Sequence, residues 1–216
     1  MSIPPIIDPV SVDLLKKELN KDTFLRRTTR GNNEIYVVNN ENAPNVLREI
    51  GRLREVSFRA VGGGSGTECD LDHFDLDDKA CFQLVVWNPE ADEIIGGYRF
   101  TRWSMASFHE NGQPYVNTEH LFDFSQKFID EYFPHCIEMA RAFVQPKYQS
   151  AAGGRKALFA LDNLWDGIGG LVASDPTVKY LTGKVTIYKT SPEMSRKAMV
   201  YYLDMSFGDR EGLITS

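Results

Sequence analysis

The period with which apolar residues recur changes several times along the chain, and each change predicts an element. Residues 34–39 (EIYVVN) form a β-branched and aromatic run that ends in a polar stretch, as a strand does. From Pro44 onward Val46, Leu47, Ile50, Leu53 and Val56 recur at three- and four-residue steps, which predicts a helix over 44–58 with proline in its first turn. Residues 82–87 are apolar enough for a buried strand. Residues 93–103 resume after a short polar turn, so the two runs predict an antiparallel hairpin. Phe124, Phe128, Ile129, Tyr132 and Phe133 predict a compact helix stopped at Pro134. A strand over Cys136–Val144, a loop over 146–154 and the most regular helix of the chain over 155–172 follow. The buried stripe expected on that helix is Leu158, Leu161, Leu164, Trp165, Ile168, Leu171 and Val172. A strand over 178–188 and a helix from Ser191 to about Met205, with Pro192 at its first position, complete the series, and 11–20 predicts a short helix near the start.

Strands in the middle with helices around them predict an α/β domain of 216 residues, built on a mixed sheet with helices on both faces. The formal net charge of −6 argues against nucleic acid as the main partner, because phosphate neutralisation needs a basic footprint. The first residues carry no basic n-region, and the greasiest long segment, 157–173, is interrupted by Asp162, Asn163 and Asp166. A cytoplasmic protein with at most peripheral membrane contact is therefore expected. Three cysteines without a C-x-x-C pair read as reduced structural thiols. Cys69 and His73 neighbour Asp70, Asp72 and Asp75, but two further ligands at recognisable spacing are missing, so no metal is expected.

The chemistry is concentrated in residues 138–158 (EMARAFVQPKYQSAAGGRKAL), which read as a strand, a loop of small residues and a helix start. The first turn of a helix exposes unpaired N–H groups at a positive dipole end, and small side chains let an anion approach them. Gln149, Ala152 and Gly154 match the acyl-thioester signature Q/R-x-x-G-x-G/A of GNAT enzymes, with Ala152 departing from glycine. A turn rich in small residues for packing alone is the plainer alternative. Residues 62–66 (GGGSG) lack both the P-loop and the G-x-G-x-x-G pattern and read either as a lid or as a surface connection.

The stretch Glu138-x-x-Arg141-x-x-Val144 resembles one shared by acyl-homoserine lactone synthases and by the hemolysin-like ornithine–acyl carrier protein N-acyltransferases. So do Arg52-Leu53-Arg54 with Phe58, Phe74-Asp75 followed by Gln83-Leu84-Val85-Val86, and Ile95-Gly96-Gly97-Tyr98-Arg99-Phe100. The wording around 145–167 is most similar to the Bacteroidetes branch, which contains glycine N-acyltransferases of glycine-lipid synthesis. The resemblance spans about residues 50–165 and implies a GNAT-like, mostly antiparallel sheet. It implies transfer of a long-chain acyl group, plain or 3-hydroxylated, from an acyl carrier protein to a small amino acid such as glycine or ornithine. It implies no permanently bound cofactor, with the acyl-phosphopantetheine thioester of an acyl carrier protein or coenzyme A as co-substrate. Relatives of this kind continue past the equivalent of Ser216, so a truncated or short variant is expected.

Roles follow for particular residues. Glu138 lies inside an apolar strand, where burial raises its pKa and suits a general base, the alternative being a structural partner for an arginine. Arg141 suits either a fork on the acceptor's carboxylate or a scaffold pair. Asp75 and Arg99 align with family residues that arrange the acceptor. Backbone N–H groups near Phe143 and Val144 would polarise the carbonyl. Gln149, Ala152, Gly153, Gly154 and Arg155 would hold the donor's phosphate, and Lys147, Arg155 and Lys156 would receive an acidic carrier. Tyr148, Tyr180, Tyr188 and Tyr201 are the tyrosines weighed as acid for the leaving thiolate. Strict alternation sends Glu138 and Arg141 to opposite faces, so a shared role requires a bulge in their strand. Three other readings stay open: an acetyl-coenzyme A N-acetyltransferase, an autoinducer synthase and a non-catalytic module that binds an acyl carrier.

Overall fold

The two runs joined by the polar turn at 89–92 become β3 (Cys81–Asn88) and β4 (Glu93–Arg102), the centre of the sheet. A computed structural model describes residues 3–77, 80–149, 154–187 and 189–216, with the side chains of 154–158 outside that description. Around the central hairpin the chain adds β1 (Phe24–Arg27), β2 (Glu34–Val38), β6 (Cys136–Val144) and β7 (Tyr180–Gly183), giving the order β1-β2-β3-β4-β6-β7. Every pairing is antiparallel except β6 with β7. β5 (Asp123–Phe124) and β8 (Ile214–Thr215) form a separate two-stranded ribbon.

Both faces of the sheet are covered, as the mixed pattern requires. On one face, α1 (Val12–Glu18) and α2 (Pro44–Arg59) set Leu15, Val46, Ile50 and Leu53 against Tyr36, Val38, Val85, Trp87 and Phe143. On the other, α5 (Gly154–Ser174) sets Ala160, Leu164 and Leu171 against Ile35, Leu84, Val86, Phe100 and Ile137. A third cluster, around Trp103, Phe124, Phe128 and Phe133, joins α4 (Gln126–Glu131) to the far end of β4. The fold is thus the expected mostly antiparallel sheet between helices. Among the described residues no helix is long and apolar enough to cross a membrane.

Three expectations need correction. The buried stripe of α5 is narrower than its apolar content suggested: Leu164, Ile168 and Leu171 are buried, whereas Leu161, Trp165 and Val172 are exposed, because a flat sheet covers only one side of a helix. Leu158 lies outside the described side chains. β7 is four residues long instead of the eleven expected. A Cβ at Gly183 would sit 2.7 Å from the carbonyl oxygen of Met139, so this glycine permits the last close approach before β6 and β7 part. The periodicity also passed over β1, β5, β8 and the one-turn α3 (His73–Leu76), all too short to show a period. The last helix, α6 (Glu193–Phe207), forms where expected but buries no residue.

Candidate active site

The side of α2 that meets the sheet beyond its apolar stripe is charged. Arg54, fully buried, donates through Nη1 to both carboxylate oxygens of Asp75 at 3.0 and 3.2 Å, and through Nη2 to the side-chain oxygen of Gln83 on β3. Asp75 also accepts from Gln83 Nε2 at 2.9 Å and from Arg99 Nη1 at 3.1 Å. It is held in place by α3, whose capping box ties Asp72 to the backbone of Phe74 and Asp75 while the Asp75 carboxylate accepts from the Asp72 N–H. Arg99 reaches on to Asp72 at 2.6 Å and to Asn117 Oδ1 at 2.7 Å. Arg141 closes the lattice on Asp70 at 2.8 and 3.0 Å and on Asp72 at 3.2 Å. Three arginines thus meet three aspartates in a balanced, largely buried array, where removing one of the fully buried partners leaves an uncompensated charge at a cost of about 3–5 kcal/mol.

Burial works to raise the Asp72 carboxyl, but the hydrogen bond and charge of Arg99 and the charge of Arg141 prevail and hold it at about 2. For Asp70 burial dominates and pushes the carboxyl above its ordinary range, against the pull of Arg141 and Arg54. Two carboxylates of the acidic stretch are interior: Asp70 and Asp75 are 3% and 4% exposed.

Arg141 joins Glu138 on one face because β6 is irregular at Arg141 and Ala142. Arg99 pairs with Ala140 and Gly97 with Phe143, so β4 spends one residue, Tyr98, opposite two of β6, Arg141 and Ala142. Arg141 has φ +49, the left-handed region that a non-glycine residue rarely enters. The turned backbone delivers its guanidinium to the aspartates on the α2 face. Glu138, 1% exposed, accepts a hydrogen bond from Trp103 Nε1 at 3.2 Å and another from Thr118. Burial raises its carboxyl above the usual range, opposed by Trp103 and by the charge of Arg99.

At the bulge lies a cleft of about 500 Å³, in the range of small-ligand sites (roughly 300–1,000 Å³), lined by Arg99, Asn117, Ala140, Arg141, Ala142 and Lys184. Its other wall includes Phe58 at the end of α2 and Gly63 in the loop that follows. Of the four catalytic residues expected, Arg99 and Arg141 reach the cleft. Asp75 is enclosed behind Arg99, and Glu138 lies two residues below Ala140 on the same face, outside the lining. Arg54, Asn117 and Lys184 were not singled out from the sequence. Arg54 carried a signal in the Arg52-Leu53-Arg54 resemblance, whereas Lys184 follows β7 in a segment read as strand.

The donor-side residues divide. The Gln145 N–H donates to the Ile95 carbonyl, and alternate residues of a strand point their backbone groups the same way, so Phe143 also faces β4. Only Val144 of the expected pair turns its backbone to the open side, where its carbonyl accepts from Ser57 Oγ at 3.2 Å and from Gln149 Nε2. The Gln149 carboxamide thus caps the strand end. Gly154 opens α5; Ala152, Gly153 and the Arg155 and Lys156 side chains lie outside the described residues. Lys147 and Tyr148 both bond Glu93, and the buried Tyr148 packs on the α5 face, away from the cleft. Tyr180 and Tyr201 are exposed outside the cleft lining, and Tyr188 lies outside the described residues.

Residues 53–157 match the acetyltransferase (GNAT) domain. That segment runs from the middle of α2, through α3, β3, β4 and β6, to the first turn of α5, and so contains the whole aspartate–arginine lattice. The chain is 52% identical over 210 residues to the glycine N(alpha)-acyltransferase of Bacteroides thetaiotaomicron, covering 97% of this chain and 62% of that protein. It is 49% identical to the glycine N(alpha)-acyltransferase of Phocaeicola vulgatus, covering 97% and 64%. The chain therefore spans less than two thirds of the length of these curated relatives. Among solved structures, an aminoglycoside acetyltransferase from an uncultured soil metagenomic sample superposes with a TM-score of 0.41 at 10% identity, covering 82% of this chain and 92% of that one. An integron cassette protein from the mobile metagenome of V. cholerae gives 0.38 at 12% identity, with 81% and 84% covered.

Proposed function

We propose that this chain is an N-acyltransferase that moves an acyl group from a phosphopantetheine thioester to the amine of a small amino acid, with glycine the favoured acceptor because both relatives are named for it. The observation that carries the reading is the cationic cleft at the point where β6 parts from β7, one strand end away from the start of α5. There the outward backbone of Val144 suits the thioester carbonyl, and the helix start suits the phosphate of the carrier arm. The fork of Arg141 is largely taken by Asp70 and Asp72, so Lys184 joins it in receiving the acceptor's carboxylate. The amine nitrogen attacks the carbonyl carbon, the C–N bond forms, the C–S bond breaks, and the sulfur departs as a thiolate that takes up a proton. The proton lost by the amine passes to Glu138 by way of Asn117 in the cleft lining and Thr118, which bonds Glu138, one bridging water being within the reach of general-base catalysis.

The family resemblance supports an acyl carrier protein as donor, a long-chain acyl group, plain or 3-hydroxylated, and a place in aminolipid synthesis. The test is thiol release from acyl carrier and from acyl-coenzyme A, acetyl and long-chain, with glycine, ornithine or no acceptor, and with the product identified by mass spectrometry. Glycine-dependent release with a long-chain carrier is expected. Release that no amino acid stimulates, or no release with any donor, overturns the reading.

A further inference from the structure

Glu55 is absent from the cleft and from the arginine–aspartate lattice, yet its side chain is fully buried on α2, one turn before Phe58 and Arg59. Its carboxylate gathers donors from the loop that follows the helix. Oε2 accepts from the Ser65 N–H at 2.9 Å and the Ser65 hydroxyl at 2.7 Å, and Oε1 accepts from the Gly66 N–H at 3.1 Å. Arg59 Nε donates to the same Oε1 at 2.8 Å, while its two terminal nitrogens hold the carbonyls of Thr67 and Pro4 at 2.7 and 2.9 Å. The loop is shaped to fit over this anion. A Cβ at Gly64 would fall 2.8 Å from Glu55 Oε1 and 3.1 Å from Arg59 Cα, and Gly62 and Gly66 have φ of +76 and +77. Gly63, inside the same loop, lies beside Phe58 on the wall of the cleft across from Arg141 and Ala140.

We propose that Glu55 is a positioning residue that latches the 62–67 loop onto the end of α2 and so sets the width of the acceptor side of the cleft. The inference rests on the acyl-transfer reading for its substrate and on geometry alone for the latch. A glycine-rich loop has little conformational preference of its own, so its place as a wall depends on the anion that gathers its N–H groups. Burial acts to raise the Glu55 carboxyl, but Ser65, Arg59 and the N–H groups of Ser65 and Gly66 outweigh it and hold it low, so the latch stays ionised. With the latch removed, the N–H groups of Ser65 and Gly66 lose a charged acceptor, the loop leaves α2, and the cleft admits bulkier amines while gripping glycine less well.

Glu55→Gln keeps the shape and removes the charge. The expected result with one fixed thioester is an acceptor KM for glycine raised about tenfold, the scale of one lost charge-assisted hydrogen bond, with kcat and the donor KM within about twofold. The kcat/KM of leucine relative to glycine should rise. Ser65→Ala, a milder change that keeps the glycines, should move the same parameters in the same direction by a smaller factor. Amide hydrogen exchange at Ser65 and Gly66 reads the latch without any reaction, and should quicken in Glu55→Gln while the amides of β3 and β4 keep their rates. An unchanged glycine KM with unchanged selectivity overturns the control of acceptor access. A fall in kcat at constant KM overturns it too, because it places Glu55 in the chemistry. Unchanged exchange at Ser65 and Gly66 overturns the latch itself. Failure of the wild-type protein to release thiol with any amino acid would instead sink the acyl-transfer reading, while the exchange experiment still decides the latch.

Discussion

At the scale of residues the site is an arrangement of ionised groups whose pKa values are displaced in opposite directions. Asp72 is held at about 2 by Arg99 and Arg141, below the ordinary carboxylate value near 3.9. A carboxyl depressed in the folded state contributes stability that is fully present above its unfolded pKa and is lost as pH falls through its folded pKa. Asp72→Asn should therefore lower stability at neutral pH, on the order of 2 kcal/mol, and the variant and parent should converge between about pH 4 and pH 2. Denaturant midpoints measured across that range check it; asparagine still caps α3, so the difference reports the charge. Glu138 is displaced the other way. A raised carboxyl must lose its proton before it accepts one from an amine, so the rate should rise with pH through this pKa. Glu138→Gln should remove that limb of the profile and lower turnover by about a hundredfold with donor binding retained, as read by steady-state kinetics and calorimetry. Near-normal turnover would move the base elsewhere.

At the scale of elements the decisive feature is how closely β6 approaches its neighbours. A Cβ at Gly96 would lie 2.4 Å from the carbonyl oxygen of Phe143 and 3.1 Å from Val144 Cα, and both obstacles are backbone. Gly96→Ala should therefore destabilise the protein by about 1–3 kcal/mol, the usual cost of overpacking, and a change within 0.5 kcal/mol in chemical unfolding would contradict the close approach. The extents of α2, β3, β4 and β6 were legible in the sequence because each is long enough for its period to show. α3 was passed over although Asp72 and Asp75 stand three apart ahead of Phe82, because a single turn has no period; only the capping box betrays it. That Glu138 and Arg141 could share a face only if β6 were irregular between or just beyond them was legible from parity. The burial of Asp70 and Asp75 was not, because it depends on arginines from α2, β4 and β6 that meet them only in three dimensions.

At the scale of the whole molecule, a chain of net charge −6 repels an acidic carrier unless a local cationic patch receives it. Lys147, already paired with Glu93, and Arg155 and Lys156, eight and nine residues on in sequence, are the residues proposed for that task. If they serve it, kcat/KM with an acyl carrier protein should fall steeply as salt rises beyond physiological strength, where charges are screened over about 8 Å, while a pantetheine thioester without its protein should show little change. Flat salt dependence with both donors removes the docking role and leaves the chemistry untouched. The two faces of the sheet differ in kind: beneath α2 the buried charges adjoin an apolar cluster, and beneath α5 the packing is hydrocarbon. Arg141 lies at the boundary, and arithmetic assigns it. With Ala142 excised, Gly97 would still meet Phe143 and Gly96 would still meet Val144, since β4 and β6 would then count one for one. The sole side chain to change address would be that of Arg141, sent among Tyr98, Met139 and Val144 on the hydrocarbon side. The supernumerary residue behaves like a single inserted letter in a two-letter code, rewriting one word and leaving the text on either side as it was.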